Sequence, residues 1–376
     1  MSLSALQRLR RPSVSEAGDS PVGHTRAARL PRRAASAALD YPFTPPAADG
    51  SVVEVAPGIL WLRQPMPMSL DHINVYLLRD GEGWTLVDTG LNTTRSQELW
   101  REIVATRLGG LPLKRLICTH SHYDHAGLAA WLMESYQIPL LMSYGEYFMM
   151  RGVSTLPEPL PDSHLRFYQQ AGMPADVVAR MFEALRRDPF MPEVPPSFER
   201  IREGELIRIG SRDWRVVIGE GHSPEHACLY CEDERILLAG DQLLPRITSN
   251  VLVSPIEPEA DPLRLWLASL DRLDQLAPDT LVLPSHQGVF RGLHARVEEL
   301  HAHHQQQFEL LLAALDELGA ATAYELMLRQ FPKRRHPVDD LMALGETIAH
   351  LSCLRYQGSL RRVLEEDGCH RFSRLV

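Results

Sequence analysis

The heptapeptide Thr119-His120-Ser121-His122-Tyr123-Asp124-His125 contains four potential metal ligands within six residues. It ends an apolar run, residues 113–119, that predicts a buried strand. The two histidines at 120 and 122 point to the same side of an extended loop. The last two ligands open a predicted helix over residues 124–136, whose N-terminus favours a carboxylate. Imidazole and carboxylate at this density suit zinc, with iron and manganese as alternatives.

Three further candidate ligands follow later predicted strands. His222 comes after a strand at residues 214–218, Asp241 after one at 235–239 and His286 after one at 281–283. Functional side chains in α/β proteins collect where strands end at one edge of a sheet. A chance cluster of surface histidines would not repeat this placement. The sequence therefore predicts one site to which several strands contribute.

The order of these residues resembles the metallo-β-lactamase superfamily. The resemblance covers about residues 52–290, and Val87-Asp88-Thr89-Gly90 matches the early aspartate turn of that family. It implies an α/β fold, a four-layer αβ/βα sandwich with a dinuclear metal site at one edge. The helices and hairpin predicted after this region suggest a small C-terminal helical domain that is winged-helix-like.

The resemblance also implies a role for each ligand. His120, His122 and His222 would hold a first metal ion. Asp124, His125 and His286 would hold a second, and Asp241 would bridge the two. Asp88 and His226 would contact the metal ligands and orient them without binding a metal ion themselves. Catalytic roles fall to Asp124 and His120, beside two divalent metal ions for which zinc is favoured.

The implied chemistry is hydrolysis. Metal ions lower the pKa of bound water from about 15.7 to about 7, so that hydroxide exists near neutral pH. They also stabilise the oxyanion that develops during attack. The sequence has no G-x-S-x-G motif to supply a serine nucleophile. We therefore expect an enzyme, a metallo-hydrolase that uses hydroxide activated by two metal ions.

The substrate is expected to be a small thioester, ester or lactone. Residues 219–226 and 240–246 resemble the hydroxyacylglutathione hydrolases and the β-lactamase-like-protein-2 group, which include thioesterases, lactonases and a single-strand-specific ribonuclease. A thiolate leaving group, with a pKa of about 8.5, departs without the general acid that this sequence does not evidently supply. Single-strand-specific endoribonuclease, β-lactamase and mononuclear iron persulfide dioxygenase activities remain as alternatives.

Charge distribution favours the small substrate over a nucleic acid. Residues 41–328 carry 23 basic and 39 acidic residues, a net charge of −16. Nucleic-acid binding depends on lysine and arginine contacts with phosphates, so this charge opposes it. The basic segment Lys333-Arg334-Arg335 keeps RNA open as a less favoured partner.

Composition divides the 376 residues into three parts. Residues 1–40 form an arginine-rich tail that is expected to be disordered, because it has no hydrophobic period. Residues 41–290 would form the metallo-β-lactamase domain that the resemblance implies, and a helical insertion without strands is expected at about 144–200. Residues 291–376 form the C-terminal winged-helix-like domain.

Five cysteines in so long a chain do not indicate a disulfide scaffold, so a cytoplasmic location is expected. The arginine-rich start leaves organellar targeting open. No apolar run reaches the roughly 18 residues that span a membrane, so no membrane partner is expected. The oligomeric state is left open.

Other residues give weaker signals. Tyr144, Tyr147, Phe148, Met149 and Met150 could line a substrate channel or pack as helix core, residues 71–74 could approach the site, and Arg246 could bind a substrate carboxylate. Cys228 and Cys231 are expected to face opposite sides of one strand. His301, His303 and His304 are expected on the solvated face of a long helix.

Overall fold

The computed structural model describes residues 39–68, 70–153, 159–187, 193–334 and 336–375. Residues 1–38 of the predicted tail lie outside these ranges. The last two residues of the predicted tail, Leu39 and Asp40, lie inside these ranges. The backbones of Asp40 and Arg291 exchange two hydrogen bonds of 3.2 and 2.8 Å. Leu39 packs against the hydrophobic core beside them. The described chain thus begins two residues before the expected start of the folded domain.

The first sheet has seven strands within the described residues. They are β1 (Val53–Ala56), β2 (Ile59–Pro65), β3 (His72–Arg79), β4 (Trp84–Val87), β5 (Leu113–Ile117), β6 (Leu140–Met142) and β7 (Glu199–Arg200). Their order in the sheet follows the chain. The pairs from β1 to β4 are antiparallel, and those from β4 to β7 are parallel. The parallel half brings the carboxyl ends of β4 and β5 to the same edge.

Six helices follow strands of this sheet in the described chain. They are α1 (Thr94–Thr106), α2 (Tyr123–Ala126), α3 (Ala129–Tyr136), α4 (Tyr144–Val153), α5 (Asp162–Gln170) and α6 (Ala175–Arg186). The side chain of Thr93 accepts a hydrogen bond from the Ser96 amide and caps α1. Helices α4 to α6 occupy the predicted insertion. Its expected lack of strands is wrong at the end, where β7 adds an edge strand beside β6.

The second sheet has five strands among the described residues, in the order β12-β11-β10-β9-β8. Their bounds are β8 (Leu206–Ile209), β9 (Arg212–Gly219), β10 (His226–Cys231), β11 (Ile236–Gly240) and β12 (Leu281–Pro284). Helix α7 (Pro262–Leu273) connects β11 to β12, which pair in parallel. The C-terminal segment consists of α8 (Leu293–Leu318), α9 (Ala323–Gln330), α10 (Pro337–Tyr356) and a hairpin of β13 (Leu360–Leu364) and β14 (His370–Arg374).

Three large hydrophobic cores separate the four layers that the described residues form. The two sheets pack face to face through side chains such as Trp61 and Leu229. The outer face of the first sheet packs against α1 and α3. The outer face of the second sheet packs against α7 and the C-terminal helices, which share one core with it. This is the predicted αβ/βα sandwich, and the C-terminal helices extend its last layer.

None of the helices in the described ranges has the length and hydropathy needed to cross a bilayer.

The single helix predicted over residues 124–136 is two helices. The Thr89 hydroxyl accepts a hydrogen bond from the Leu128 amide at 3.1 Å, which takes that amide out of the helical ladder. The carbonyls of Asp124 and His125 instead accept from the amides of Gly90 and Thr89. A Cβ on Gly127 would lie 2.1 Å from the Tyr123 carbonyl oxygen, so the chain bends closely there. The aspartate turn therefore replaces helical hydrogen bonds with its own.

The expected solvated face of α8 is wrong at His304. This side chain is 1% exposed, and its Nδ1 lies 3.0 Å from Nε2 of His350 on α10. Its ring packs edge-on against Trp266 of α7 at 5.1 Å. The helix is covered by the C-terminal helices at this point, so one of its polar residues became part of an interhelical contact.

Candidate metal centre

The strand ends of both sheets bring the seven predicted ligands together. His120 and His122 follow β5, and Asp124 and His125 lie in the short helix α2. From the second sheet, His222 follows β9, Asp241 follows β11 and His286 follows β12. Six of the seven are buried, and only His122 is half-buried. All seven fall into two groups of mutually close ligand atoms.

The first group consists of His120, His122, His222 and Asp241. Nε2 of His120 lies 2.9 Å from Nδ1 of His122 and 3.2 Å from Nε2 of His222. Nε2 of His222 lies 3.6 Å from Oδ2 of Asp241. Three imidazole nitrogens and one carboxylate oxygen therefore converge from three different loops.

The second group consists of Asp124, His125 and His286. Nε2 of His286 lies 3.4 Å from Oδ2 of Asp124, and Nε2 of His125 lies 3.6 Å from the same oxygen. Both nitrogens also face Asp241, at 3.4 Å from its Oδ1 and 3.5 Å from its Oδ2 respectively. Asp241 thus stands between the two groups, where a bridging ligand would stand.

The separations around Asp241 fit a metal ion better than hydrogen bonding. Two ligands held about 2.1 Å from a tetrahedral zinc ion are about 3.4 Å apart. The contacts of 3.4 to 3.6 Å around Asp241 match this spacing and exceed ordinary hydrogen-bond lengths. Nε2 of His125 and Oδ1 of Asp241 are buried and have no hydrogen-bond partner. Buried polar atoms normally have partners, so a cation would satisfy atoms that the protein leaves unsatisfied.

The opposite ring nitrogens of the ligand histidines are held by the protein. Nδ1 of His222 lies 2.7 Å from the Asn250 carbonyl oxygen, and Nδ1 of His286 lies 2.9 Å from that of His72. Such contacts fix the tautomer and aim the free nitrogen at the metal position. The expected role of residues 71–74 is therefore partly structural, since the His72 backbone orients a ligand.

The two residues expected behind the site lie there. Oδ2 of Asp88 is 2.9 Å from Nδ1 of His125. His226 accepts a hydrogen bond through Nε2 from the Asp241 amide at 3.0 Å. A Cβ on Gly240 would lie 2.3 Å from Nε2 of His226, so only glycine allows this approach. Asp88 thereby positions the ligand His125, and His226 positions the ligand Asp241.

Comparison with known families agrees with this geometry. Residues 68–286 match the model of the metallo-β-lactamase superfamily, which is more than half of the chain. This chain belongs to the metallo-β-lactamase superfamily. Residues 308–375 also match the model described as the metallo-beta-lactamase-like C-terminal domain. The match places helices α9 and α10 and the last hairpin in a segment that recurs in this superfamily.

Individual relatives support the same assignment. The probable metallo-hydrolase YqjP of Bacillus subtilis is 27% identical over 311 residues, which cover 80% of this chain and 93% of that protein. A beta-lactamase domain protein from Burkholderia ambifaria is 42% identical, with a TM-score of 0.82 over 90% of this chain and 98% of that one. An atrochrysone carboxyl ACP thioesterase of Aspergillus fumigatus is 22% identical over 70% of this chain and 69% of that protein.

The electrostatics of this superfamily site differ between the two groups. Burial lowers the pKa of His122 to about 3, and the neighbouring His222 adds to this effect. Burial disfavours ionised Asp124, but His125 and His286 outweigh it and hold its pKa at about 2. Burial alone would lower the pKa of His286, but the neighbouring Asp241 carboxylate outweighs this effect and raises that pKa to about 10. His120 and His122 are therefore held as neutral imidazoles, the form that binds a metal ion, whereas Asp124 stays ionised.

Glu146 is a buried residue beside this site that the sequence patterns did not indicate. It is fully buried in the first turn of α4 and accepts hydrogen bonds from the Ser121 and Glu225 amides. The sequence offered one clue to its burial. Glu146 is an acidic residue next to Tyr147 and four residues before Met150, and both of these pack in the core of the first sheet. A carboxylate on a buried helix face requires partners, and here they are the two ligand loops.

The aromatic and methionine residues of α4 that were predicted to line a channel or to pack in the core differ in their exposure. Tyr147 and Met150 belong to the core, whereas Tyr144 and Phe148 are 48% and 47% exposed and pack against each other at 4.5 Å. Only the latter pair can line a channel with both rings. The Arg246 guanidinium lies 5.2 Å from the Tyr41 ring, and its role toward a substrate stays a prediction.

Cys118, Cys228 and Cys231 are buried in the hydrophobic cores. Cys228 packs toward the outer helices and Cys231 toward the first sheet, so they face opposite sides of β10. Cys118 is buried on the outer face of the first sheet. Cys228 and Cys231 therefore do not form half of a zinc site.

Proposed function

We propose that this chain is a dinuclear metal-dependent hydrolase of small thioester, ester or lactone substrates. The observation that carries the proposal is the position of Asp241. Its two oxygens lie 3.4 to 3.6 Å from histidine nitrogens of both ligand groups, which is the separation expected around a shared pair of metal ions. Zinc is the favoured metal, with iron and manganese as alternatives.

Each residue has a distinct task in this proposal. Two divalent ions bound here would acidify water and polarise a carbonyl oxygen. His120, His122 and His222 would hold one ion, and Asp124, His125 and His286 the other. Asp124 would also accept a hydrogen bond from the attacking water and so orient it. Asp88 and His226 would keep His125 and Asp241 in place.

A thioester is the acyl substrate that these residues support best. Its leaving thiolate has a pKa of about 8.5 and departs without a strong proton donor. An amide or phosphodiester leaving group is much more basic and draws on a general acid. The fungal atrochrysone carboxyl ACP thioesterase is 22% identical to this chain in sequence, which supports the same class of bond.

The C-terminal charges argue against an RNA substrate. Arg334, in the basic segment that kept RNA open, forms a 2.6 Å ion pair with Asp340. The neighbouring arginines are also paired, with Arg355 and Arg362 both bound to Glu259 and Arg374 bound to Asp316. Paired arginines offer less charge to phosphates, and RNA binding depends on that charge. A cytoplasmic location and the absence of a membrane partner remain predictions from composition.

A substrate panel tests the proposal. Purified protein with defined metal content would be assayed with acyl-thioesters, esters and lactones beside a labelled single-stranded RNA, a cephalosporin and a persulfide, at matched metal and salt. His122→Ala protein, prepared identically, reports contaminating activity. We expect the highest kcat/KM on a thioester, lost in the variant. Metal-dependent RNA cleavage without turnover of any acyl substrate would reject the acyl assignment.

A further inference from the structure

Glu146 connects the two loops that carry the first ligand group. Its Oε2 accepts a hydrogen bond of 2.9 Å from the Ser121 amide, and its Oε1 accepts one of 2.8 Å from the Glu225 amide. Ser121 lies between His120 and His122, and Glu225 lies between His222 and His226. One carboxylate therefore contacts both loops, each at a residue flanked by histidines of the site.

The contact is reciprocal on the Glu225 side. Oε2 of Glu225 accepts a 2.8 Å hydrogen bond from the Gly145 amide, and its carbonyl oxygen accepts one of 2.7 Å from the Ser143 hydroxyl. A Cβ on Gly145 would lie 3.0 Å from Cγ of Glu225 and 3.2 Å from Cβ of Pro224, so the two segments touch. The start of α4 and the His222 loop are thus joined by hydrogen bonds in both directions.

A glutamate suits this position because the two acceptors must serve different loops. An ionised carboxylate has two oxygens that only accept, whereas a glutamine has one acceptor and one donor. Burial raises the pKa of Glu146, and the hydrogen bonds from the loops oppose that rise. Among the described residues no lysine or arginine forms an ion pair with Glu146, so its burial is costly unless hydrogen bonds satisfy both oxygens, as the two loop amides do.

We propose that Glu146 is a positioning residue that fixes the His120–His122 loop against the His222 loop. The carboxylate thereby keeps three imidazoles from the two sheets together at one metal position. This inference rests on the proposed metal centre. It also gives a task to α4, the first helix of the insertion, because this helix carries the carboxylate that joins the two ligand loops.

The alternative is that Glu146 only stabilises the fold. A fold-stabilising residue changes the melting temperature of metal-free protein but leaves the metal affinity of the folded fraction unchanged. A positioning residue changes that affinity. Replacing groups that orient metal ligands weakens metal binding by about 10–100-fold. Affinity, rather than activity, therefore separates the two roles.

The test compares Glu146→Gln with Glu134→Gln. Both remove one negative charge from a helix beside the first sheet, but Glu134 is exposed on α3 and contacts neither ligand loop. Zinc affinity would be measured by chelator competition, and the visible spectrum of cobalt-substituted protein would report the geometry of the first site. We expect Glu146→Gln to bind the first metal about 10–100-fold more weakly with an altered spectrum, and Glu134→Gln to match wild type. A folded Glu146→Gln protein with wild-type affinity and spectrum would overturn the proposal.

Amide hydrogen exchange in metal-free wild-type protein gives a second test that needs no variant to fold. The Ser121 and Glu225 amides should exchange slowly, because both donate to a buried carboxylate. Exchange at the rate of exposed loops would overturn the proposal even if Glu146→Gln does not fold. Absence of metal binding by wild-type protein would instead reject the metal centre, so the two failures are distinguishable.

Discussion

Oδ2 of Asp88 lies 2.9 Å from Nδ1 of His125, while Oδ1 of the same carboxylate accepts a 2.8 Å hydrogen bond from the Thr119 amide. Asp88 adopts a left-handed backbone conformation, with φ of 60°, to reach both. Residues other than glycine rarely adopt it, and such strain concentrates at functional sites. The aspartate turn therefore orients a ligand histidine and anchors the loop that begins the metal motif.

Substitution of Asp88 by Asn should weaken the second metal site. The amide keeps the shape but supplies only one acceptor, so either His125 or Thr119 loses its partner. We expect about 10–100-fold weaker binding of the second ion in chelator competition. Asp233→Asn, in an exposed turn between β10 and β11, provides the matched control. Equal affinities in the two variants would show that Asp88 does not orient His125.

Substitution of His122 by Ala should disable hydrolysis. The change removes one nitrogen of the first group, where His122 lies 2.9 Å from His120. Turnover should fall at least ~100-fold, because the metals supply both the nucleophile and the oxyanion stabilisation. The rate and the metal content would be measured beside those of His164→Ala, a histidine on α5. Wild-type turnover with full metal content would contradict this role.

Substitution of Asp124 by Asn separates a ligand from a helix cap. The amide retains the volume but loses the charge that faces His286 at 3.4 Å. We expect a folded protein with less second-metal occupancy and little turnover. Metal analysis and kcat on the best substrate are the measurements. An unchanged kcat would mean that Asp124 serves only the start of α2.

Acid should destabilise the C-terminal helices through the His304–His350 contact. Burial lowers the pKa of His304 to about 3 and that of His350 to about 4. Unfolded histidine has a pKa of about 6.5, so below that pH the unfolded chain binds protons that the folded protein excludes. Stability is therefore lost as the pH falls from about 6.5 to about 4, by at most about 1.4 kcal/mol per pH unit for each histidine.

A variant isolates this contribution. His304 also faces Trp266 and, along its own helix, His301 and His303. Urea unfolding of metal-free wild type and His304→Gln at pH 6.5, 5.5 and 4.5 would give the free energy of unfolding. We expect a shallower loss in the variant, because one excluded proton is gone. Parallel pH dependences would contradict the lowered pKa of His304.

The sequence predicted the strands and the ligand positions well where local pattern and buried core agreed. The strand predicted at residues 281–283 is β12, which extends one residue further, and β5 ends two residues earlier than predicted, at Ile117. Apolar runs bounded by glycine and proline mark such strands clearly. Ligands at their ends then follow from the topology, because β9, β11 and β12 run in the same direction in the second sheet and β5 ends at the same site from the first.

The remaining features depend on contacts between distant segments. The break between α2 and α3 arises because Thr89 binds the Leu128 amide, and no local pattern encodes that contact. Burial of His304 depends on α10 packing over α8, almost fifty residues later. Glu146 was missed for the same reason, since its partners lie 25 and 79 residues away.

Metal titration of the chelator-treated protein tests the central claim most directly. Zinc, iron or manganese would be added in steps while binding stoichiometry and thioester hydrolysis are followed in the same samples. We predict negligible turnover without metal, two ions bound per chain and full activity only as the second site fills. Full hydrolysis in metal-free protein, or saturation at a single ion with no second binding step, would contradict a dinuclear hydrolase.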